Sequence, residues 1–136
     1  MNDLAPLLLL VDDDEDLRDM LGTILDAAGF RTLLAAHGKE ALELIDRRSP
    51  DLVLLDMRMP VMDGWELCRI LDERGERPPI VVVTAAADPA ARAAEVHAEG
   101  WVAKPFDIEH LERVVRRVLA ESEAGGAVSA STTSEA

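Results

Sequence analysis

Unbroken apolar blocks of strand length recur along this chain, and four of them run directly into a residue able to handle phosphate or metal. Leu7-Leu8-Leu9-Leu10-Val11 is followed by Asp12-Asp13-Asp14, and Leu52-Val53-Leu54-Leu55 by Asp56. Ile80-Val81-Val82-Val83 is followed by Thr84, and Trp101-Val102-Ala103 by Lys104-Pro105. A strand with one wet face alternates apolar and polar residues. A run without polar interruption is a strand buried on both faces, as in a parallel sheet covered by helices. Open sheets of that kind hold ligands at the carboxyl ends of their strands. Four such ends in one crevice would gather carboxylates, a hydroxyl and an ammonium.

Helical stripes separate the blocks. Leu17, Met20, Leu21, Ile24, Leu25 and Ala28 recur at the spacing of one helix face, so a helix is expected over about Asp16–Ala28, closed by Gly29. A second strand is expected at Arg31–Ala35 and a helix near Lys39–Arg48, broken by Ser49-Pro50. After the strand Leu52–Asp56, Met59-Pro60-Val61-Met62-Asp63-Gly64 reads as a loop. A helix over Trp65–Glu73 then turns Cys68 and Leu71 inward. Beyond the strand Ile80–Thr84, Asp88-Pro89 reads as an N-cap and first-turn proline, opening an alanine-rich helix to about Glu99. The strand Trp101–Ala103 and a helix over Asp107–Glu121 complete the pattern. That last helix places Ile108, Leu111, Val115, Val118 and Leu119 inward and Arg113, Arg116 and Arg117 outward. The alternation implies one α/β domain over 1–121, with helices on both faces of a parallel sheet. Residues 122–136, composed of Ser, Thr, Ala, Gly and Glu with one Val and no period, are expected to be a disordered tail.

The length suits one domain with a real core. A formal charge of −13 argues against nucleic-acid binding by the domain itself, which would need a basic face. No apolar stretch reaches the length of a membrane span, and Met1–Pro6 lacks the basic segment of a secretory signal. The single cysteine, Cys68, fits a reducing cytoplasm and a packing role. His37, His97 and His110 have no metal-binding spacing.

Mg²⁺ takes hard oxygen ligands and usually keeps several waters. Asp13 and Asp56 can each supply an oxygen, and Asp12 can hold a metal-bound water. Asp12-Asp13 alone could equally be an acid pair at a helix N-terminus. Asp56 is harder to dismiss, because it follows four apolar residues. An acid there is desolvated and near other acids, so its pKa should rise in the absence of a cation. Beside a metal it is a nucleophile for phosphoryl transfer. Mg²⁺, the Lys104 ammonium, the Thr84 hydroxyl and nearby backbone N–H groups would then stabilise the three equatorial oxygens.

The segments Leu9-Leu10-Val11-Asp12-Asp13, Asp51–Asp56, Met59–Gly64, Val83-Thr84-Ala85 and Lys104-Pro105-Phe106 resemble the receiver domain of bacterial two-component response regulators over about Leu7–Ala120. The resemblance implies a flavodoxin-like (βα)5 fold with strand order 2-1-3-4-5. It implies Asp56 as phosphoacceptor. It implies Mg²⁺ held by Asp13, Asp56 and the Arg58 carbonyl, with Asp12 acting through water. Lys104 would contact the phosphoryl group, Thr84 would move to hydrogen-bond it, and the Lys104-Pro105 bond would be cis. In the family an aromatic, usually Tyr or Phe, then rotates inward behind the threonine. Trp101 stands in that place here, a bulkier ring with an N–H to satisfy. Two further departures are Arg58, two residues past Asp56, and a short, alanine-rich stretch between Thr84 and Lys104.

The resemblance thus implies a cytoplasmic single-domain response regulator, a signalling module and not an enzyme. Its donor would be a sensor histidine kinase or histidine phosphotransfer protein. Its output would be a protein target, with a phosphorylation-dependent homodimer through the last helices as a further option. Two rivals stay open. A receiver-like scaffold would work through dimer contacts without phosphorylation. A haloacid-dehalogenase-type phosphatase shares the Asp, Mg²⁺, Thr and Lys, but needs an acid where Arg58 stands and a cap domain as well.

Overall fold

The computed structural model describes residues 4–132, with side chains described through Glu123. The elements in chain order are β1 (Leu7–Val11), α1 (Glu15–Ala27), β2 (Arg31–Ala35), α2 (Gly38–Arg48), β3 (Leu52–Leu55) and α3 (Gly64–Glu73), then β4 (Ile80–Thr84), α4 (Pro89–Glu95), β5 (Gly100–Ala103) and α5 (Ile108–Thr132). The strands form one sheet in the order β2-β1-β3-β4-β5, and every pairing is parallel. This is the expected flavodoxin-like order.

The unbroken apolar strands serve two cores at once. Successive side chains point to opposite faces of a sheet. Leu8, Leu10, Leu52, Leu54, Val81, Val83 and Val102 therefore pack beneath α1 and α5, against Leu21, Leu25, Leu111, Val115 and Val118. Leu9, Val11, Val53, Leu55, Ile80 and Val82 pack on the other side, against Ala41, Leu67, Leu71, Ala93 and Val96 of α2, α3 and the end of α4. Cys68 is buried in this second core, and burial pushes its thiol up to about 11, so it acts as a small apolar group.

The chain runs from β1 outward to β2, then back past β1 to β3, so the strand order reverses between β1 and β3. Ligand crevices form at such reversals. The register pairs Val11 with both Ala35 and Leu55, so the residues after β1 and β3 emerge side by side.

Side chains close the helix starts. Asp14, Asp63 and Asp88 each accept a backbone N–H from three residues on, and His37 does the same for Glu40. At α2 the Glu40 carboxylate in turn accepts the N–H of Ala36, the residue before the cap.

Three expectations need correction. α4 ends at Glu95, short of Glu99. His97 takes a left-handed φ of 56°. The His97 N–H then bonds the Ala94 carbonyl and the Ala98 N–H bonds the Ala93 carbonyl. This is the closing pattern usually built on glycine. The helix must stop there because the Glu99 N–H already pairs with the Ile80 carbonyl to begin β5. Met20, expected inward, is 46% exposed. It lies roughly 100° around the helix from Leu21, at the margin of the apolar stripe. Finally, α5 continues past Glu121 to Thr132, so the backbone is helical where an irregular tail was expected. Residues 133–136 lie outside the described residues.

An exposed histidine held left-handed carries backbone strain that glycine would relieve. His97→Gly should therefore stabilise the protein by roughly 0.5–1 kcal/mol, after allowing for the greater unfolded-state freedom of glycine. The check is a urea midpoint that rises at constant m-value.

Candidate functional site

The ends of β1, β3 and β5 bring Asp12, Asp13, Asp56 and Lys104 together. One oxygen from each of Asp12, Asp13 and Asp56 lies within 4.8 Å of the others. The Lys104 ammonium is 2.9 Å from Asp12 Oδ2 and 3.6 Å from Asp56 Oδ2. These groups lie 92 residues apart in the chain at the extreme, and only the parallel register brings them together.

Asp12 is the most firmly held of the acids. It is buried; its N–H bonds the Ala35 carbonyl of β2, its Oδ1 accepts the Asp14 N–H, and its Oδ2 accepts from Lys104. Its carbonyl accepts from the Arg18 guanidinium at 2.7 Å. Asp13 is exposed at the mouth. The Asp56 N–H bonds the Val11 carbonyl, which locks the acid to β1. The Asp56 side chain is more sparsely served. Oδ1 accepts the Arg58 N–H at 3.3 Å, and Oδ2 faces Lys104 across 3.6 Å.

Burial raises the Asp56 pKa above 3.8, and the charges of Asp12 and Asp13 push it the same way. Lys104 and the Arg58 N–H oppose this without cancelling it. For Lys104, burial alone would lower the pKa. Its hydrogen bond to Asp12 and the charges of Asp56 and Asp12 outweigh that effect and raise it above 10.5, so the lysine is a fixed cation.

The backbone around the acids is closely packed. A Cβ at position 64 would fall 2.6 Å from Met57 Sδ, 2.9 Å from Met57 Cα and 3.2 Å from the Asp56 carbonyl oxygen, so only glycine lets α3 start there. Gly38 stands equally close to Met62, whose carbonyl accepts the Gly38 N–H. The loop after Asp56 is thus clamped from both α2 and α3.

Thr84 ends β4, is buried, and its hydroxyl accepts the Ala86 N–H at 3.1 Å. The Lys104 N–H bonds the Thr84 carbonyl, and the Lys104-Pro105 peptide is cis. Trp101, on β5, is 42% exposed. It alternates with the buried Val102, which faces α5, so its ring lies on the α4 side of the sheet.

The donor set suits a small, hard divalent cation. Two oxygens on one octahedral ion at 2.0–2.1 Å stand about 3 Å apart when adjacent and about 4 Å when opposite. One oxygen from each of the three acids already lies within 4.8 Å of the others, close to that range. The expected grouping of Asp12, Asp13, Asp56 and Lys104 is therefore present in space. Thr84 terminates the strand next to Asp56's, and Arg58 lies on the loop just beyond. Arg18, which fastens the Asp12 carbonyl, was not expected. Its signal was a lone base within the acidic stretch Asp12–Asp19.

The chain is similar to known proteins over most of its length. The family model described as "Response regulator receiver domain" matches residues 8–116. Response regulator MprA of Mycolicibacterium vanbaalenii is 40% identical over 114 residues, covering 82% of this chain and 49% of that protein. The first curated relatives have 25–49% of their own length spanned by the chain. Among solved structures, Vibrio cholerae chemotaxis protein CheY4 is 32% identical with a TM-score of 0.77, over 84% of this chain and 98% of that one. Response regulator protein TrrA of Thermotoga maritima, in complex with Mg²⁺-BeF, is 27% identical with a TM-score of 0.75, over 83% and 98%.

A carboxyl whose pKa is raised by folding makes the native state bind more protons than the unfolded state between the two pKa values. Stability then falls as pH rises from 3.8 through the folded value, and the penalty is complete above it. Without divalent cations, Asp56→Asn should therefore raise Tm by a few degrees at pH 7. The gain should shrink to nothing as the pH is taken below 3.8. Thermal scans across pH in EDTA test both.

Proposed function

The chain belongs to the response regulator receiver domain family, and from that membership we propose that Asp56 accepts a phosphoryl group from a phosphohistidine donor beside a bound Mg²⁺. The observation that carries this is the convergence of three carboxylates and one lysine at the strand ends. Asp13, Asp56 and the Arg58 carbonyl would hold the ion, and Asp12 would act through a water. When bound, the ion supplies positive charge that lets an attacking carboxylate and an incoming phosphoryl group approach each other.

The chain's own groups do the rest. An Asp56 side-chain oxygen attacks phosphorus in line. The new O–P bond forms as the P–N bond to the donor imidazole breaks, and the electron pair returns to the ring nitrogen, which takes a proton. Lys104, already charged, meets one equatorial oxygen. The Thr84 hydroxyl accepts from the Ala86 N–H, so its own proton is the one to offer the phosphoryl group. Moving toward it, Thr84 vacates space on β4, and Trp101 is the aromatic that would follow.

The added charge biases a two-state equilibrium over α4, β5 and α5. A histidine kinase or phosphotransfer protein is the donor, and a protein target reads the changed surface, with dimerisation through the last helices as a second outcome. Cytoplasmic residence suits such a donor. The net charge of −13 speaks against direct nucleic-acid contact by this unit. No described helix is long and apolar enough to cross a membrane. The reading concerns the receiver unit itself and holds whatever the rest of the molecule carries.

Incubation with acetyl phosphate and Mg²⁺ should give stoichiometric acid-labile phosphate in the wild type. Asp56→Asn or EDTA should abolish it. Absence of incorporation in the wild type would favour a scaffold. Sustained turnover of small phosphate esters would favour a phosphatase.

A further inference from the structure

α4 is the shortest helix among the described residues, and it is lightly held. Its buried contribution is Ala93 together with the cap residue Val96. An open groove of about 410 Å³, bordered by Trp65, Cys68, Asp72, Glu95 and Val96, separates it from α3. Across that groove the Trp65 indole N–H donates to Glu95 Oε1 at 2.8 Å. Glu95 in turn bonds Arg92 one turn back on α4 at 2.7 Å. At the groove's far end Arg77 reaches the His97 carbonyl and the side chains of Asp72 and Glu99, which holds the connector after the helix.

The second partner of Trp65 belongs to the loop after Asp56. The Arg58 guanidinium lies over the indole at 6.0 Å from the ring centroid. Arg58 is also the residue whose N–H donates to Asp56 Oδ1. One aromatic ring therefore lies between the guanidinium of a residue whose backbone N–H bonds Asp56 and a carboxylate on α4. A cation over a ring face draws electron density from it and makes the indole N–H a stronger donor.

We propose that Trp65 is a positioning residue for α4, linking Asp56 to Glu95 through the Arg58 guanidinium. The inference rests on the reading that Asp56 is phosphorylated. A phosphoryl group on Asp56 brings up to two negative charges close to Arg58, an exposed residue two positions further on. Ion pairing with a phosphate is stronger than an exposed cation–π contact. Arg58 leaves the ring, the Trp65–Glu95 bond weakens, and α4 loosens at the end where that bond holds it. This route runs outside the sheet and is separate from any rearrangement of Thr84 and Trp101.

The test is fluorine NMR on protein carrying 5-fluorotryptophan, titrated with Mg²⁺ and beryllofluoride. The two tryptophan signals are assigned with Trp65→Phe, and bound fluoride is read in the same spectrum. The expected result is a Trp65 signal that moves as bound fluoride appears, and that stays put in Arg58→Gln at saturating beryllofluoride. Hydrogen exchange at α4 should quicken roughly three- to tenfold on beryllofluoride binding, the scale of one lost hydrogen bond. Glu95→Ala should show that faster exchange from the outset, and Glu95→Gln, which keeps an acceptor, should not. Bound fluoride with an unmoved Trp65 signal overturns the inference and leaves the Asp56 reading intact. So does an equal movement in Arg58→Gln, or unchanged α4 exchange in Glu95→Ala. Failure to bind beryllofluoride overturns both.

Discussion

Three carboxylates held within 4.8 Å of one another repel, and the Lys104 ammonium is the fixed charge that offsets them. That balance depends on most of the sheet. Lys104 follows β5, two strands beyond β3, and reaches the acids because its own N–H is tied to the Thr84 carbonyl. The compensation is unequal. Asp12 has Lys104 at hydrogen-bond distance, the Asp14 N–H on its other oxygen, and Arg18 on its carbonyl. Asp56 has one long N–H contact and the same lysine at 3.6 Å. Of these two acids, Asp56 is the less firmly held.

Much of this was legible in the residues, for identifiable reasons. Strands buried on both faces cannot tolerate polar breaks, so β1, β3 and β4 read directly from their composition. The desolvation of Asp56 followed from the four apolar residues before it, and its raised pKa agrees. The order of the strands did not follow from periodicity, which is blind to neighbours; the resemblance to receiver domains supplied it. The end of α4 was misread because alanines favour helix and no glycine marks the stop. A histidine takes the left-handed position instead. Met20 was misread because a stripe on a helical wheel has margins, and solvent reaches them first. Arg18 and the Trp65–Glu95 bond were invisible for a different reason. Each joins residues whose closeness exists only after folding, and neither falls in a recognisable spacing.

Several polar ties outside the cores gather in one place. Trp65, Arg77, Arg92, Glu95 and Glu99 all act around α4 and its connector, on the side of the sheet where Trp101 is exposed. Apolar burial there is thin, and hydrogen bonds between half-exposed groups carry the helix. Such bonds are each worth little and are remade easily. A region held this way can change its arrangement at small cost, whereas α1 and α3, fastened by buried leucines, cannot.

The partition of the interior has its own outcome. Because each strand sends alternate residues up and down, the sheet behaves as a bulkhead between two sealed compartments. A methyl group gained or lost under α1 and α5 leaves the chamber below α3 and α4 largely undisturbed. Lineages of such molecules can thus remodel one outer surface for new company while the opposite one keeps its shape.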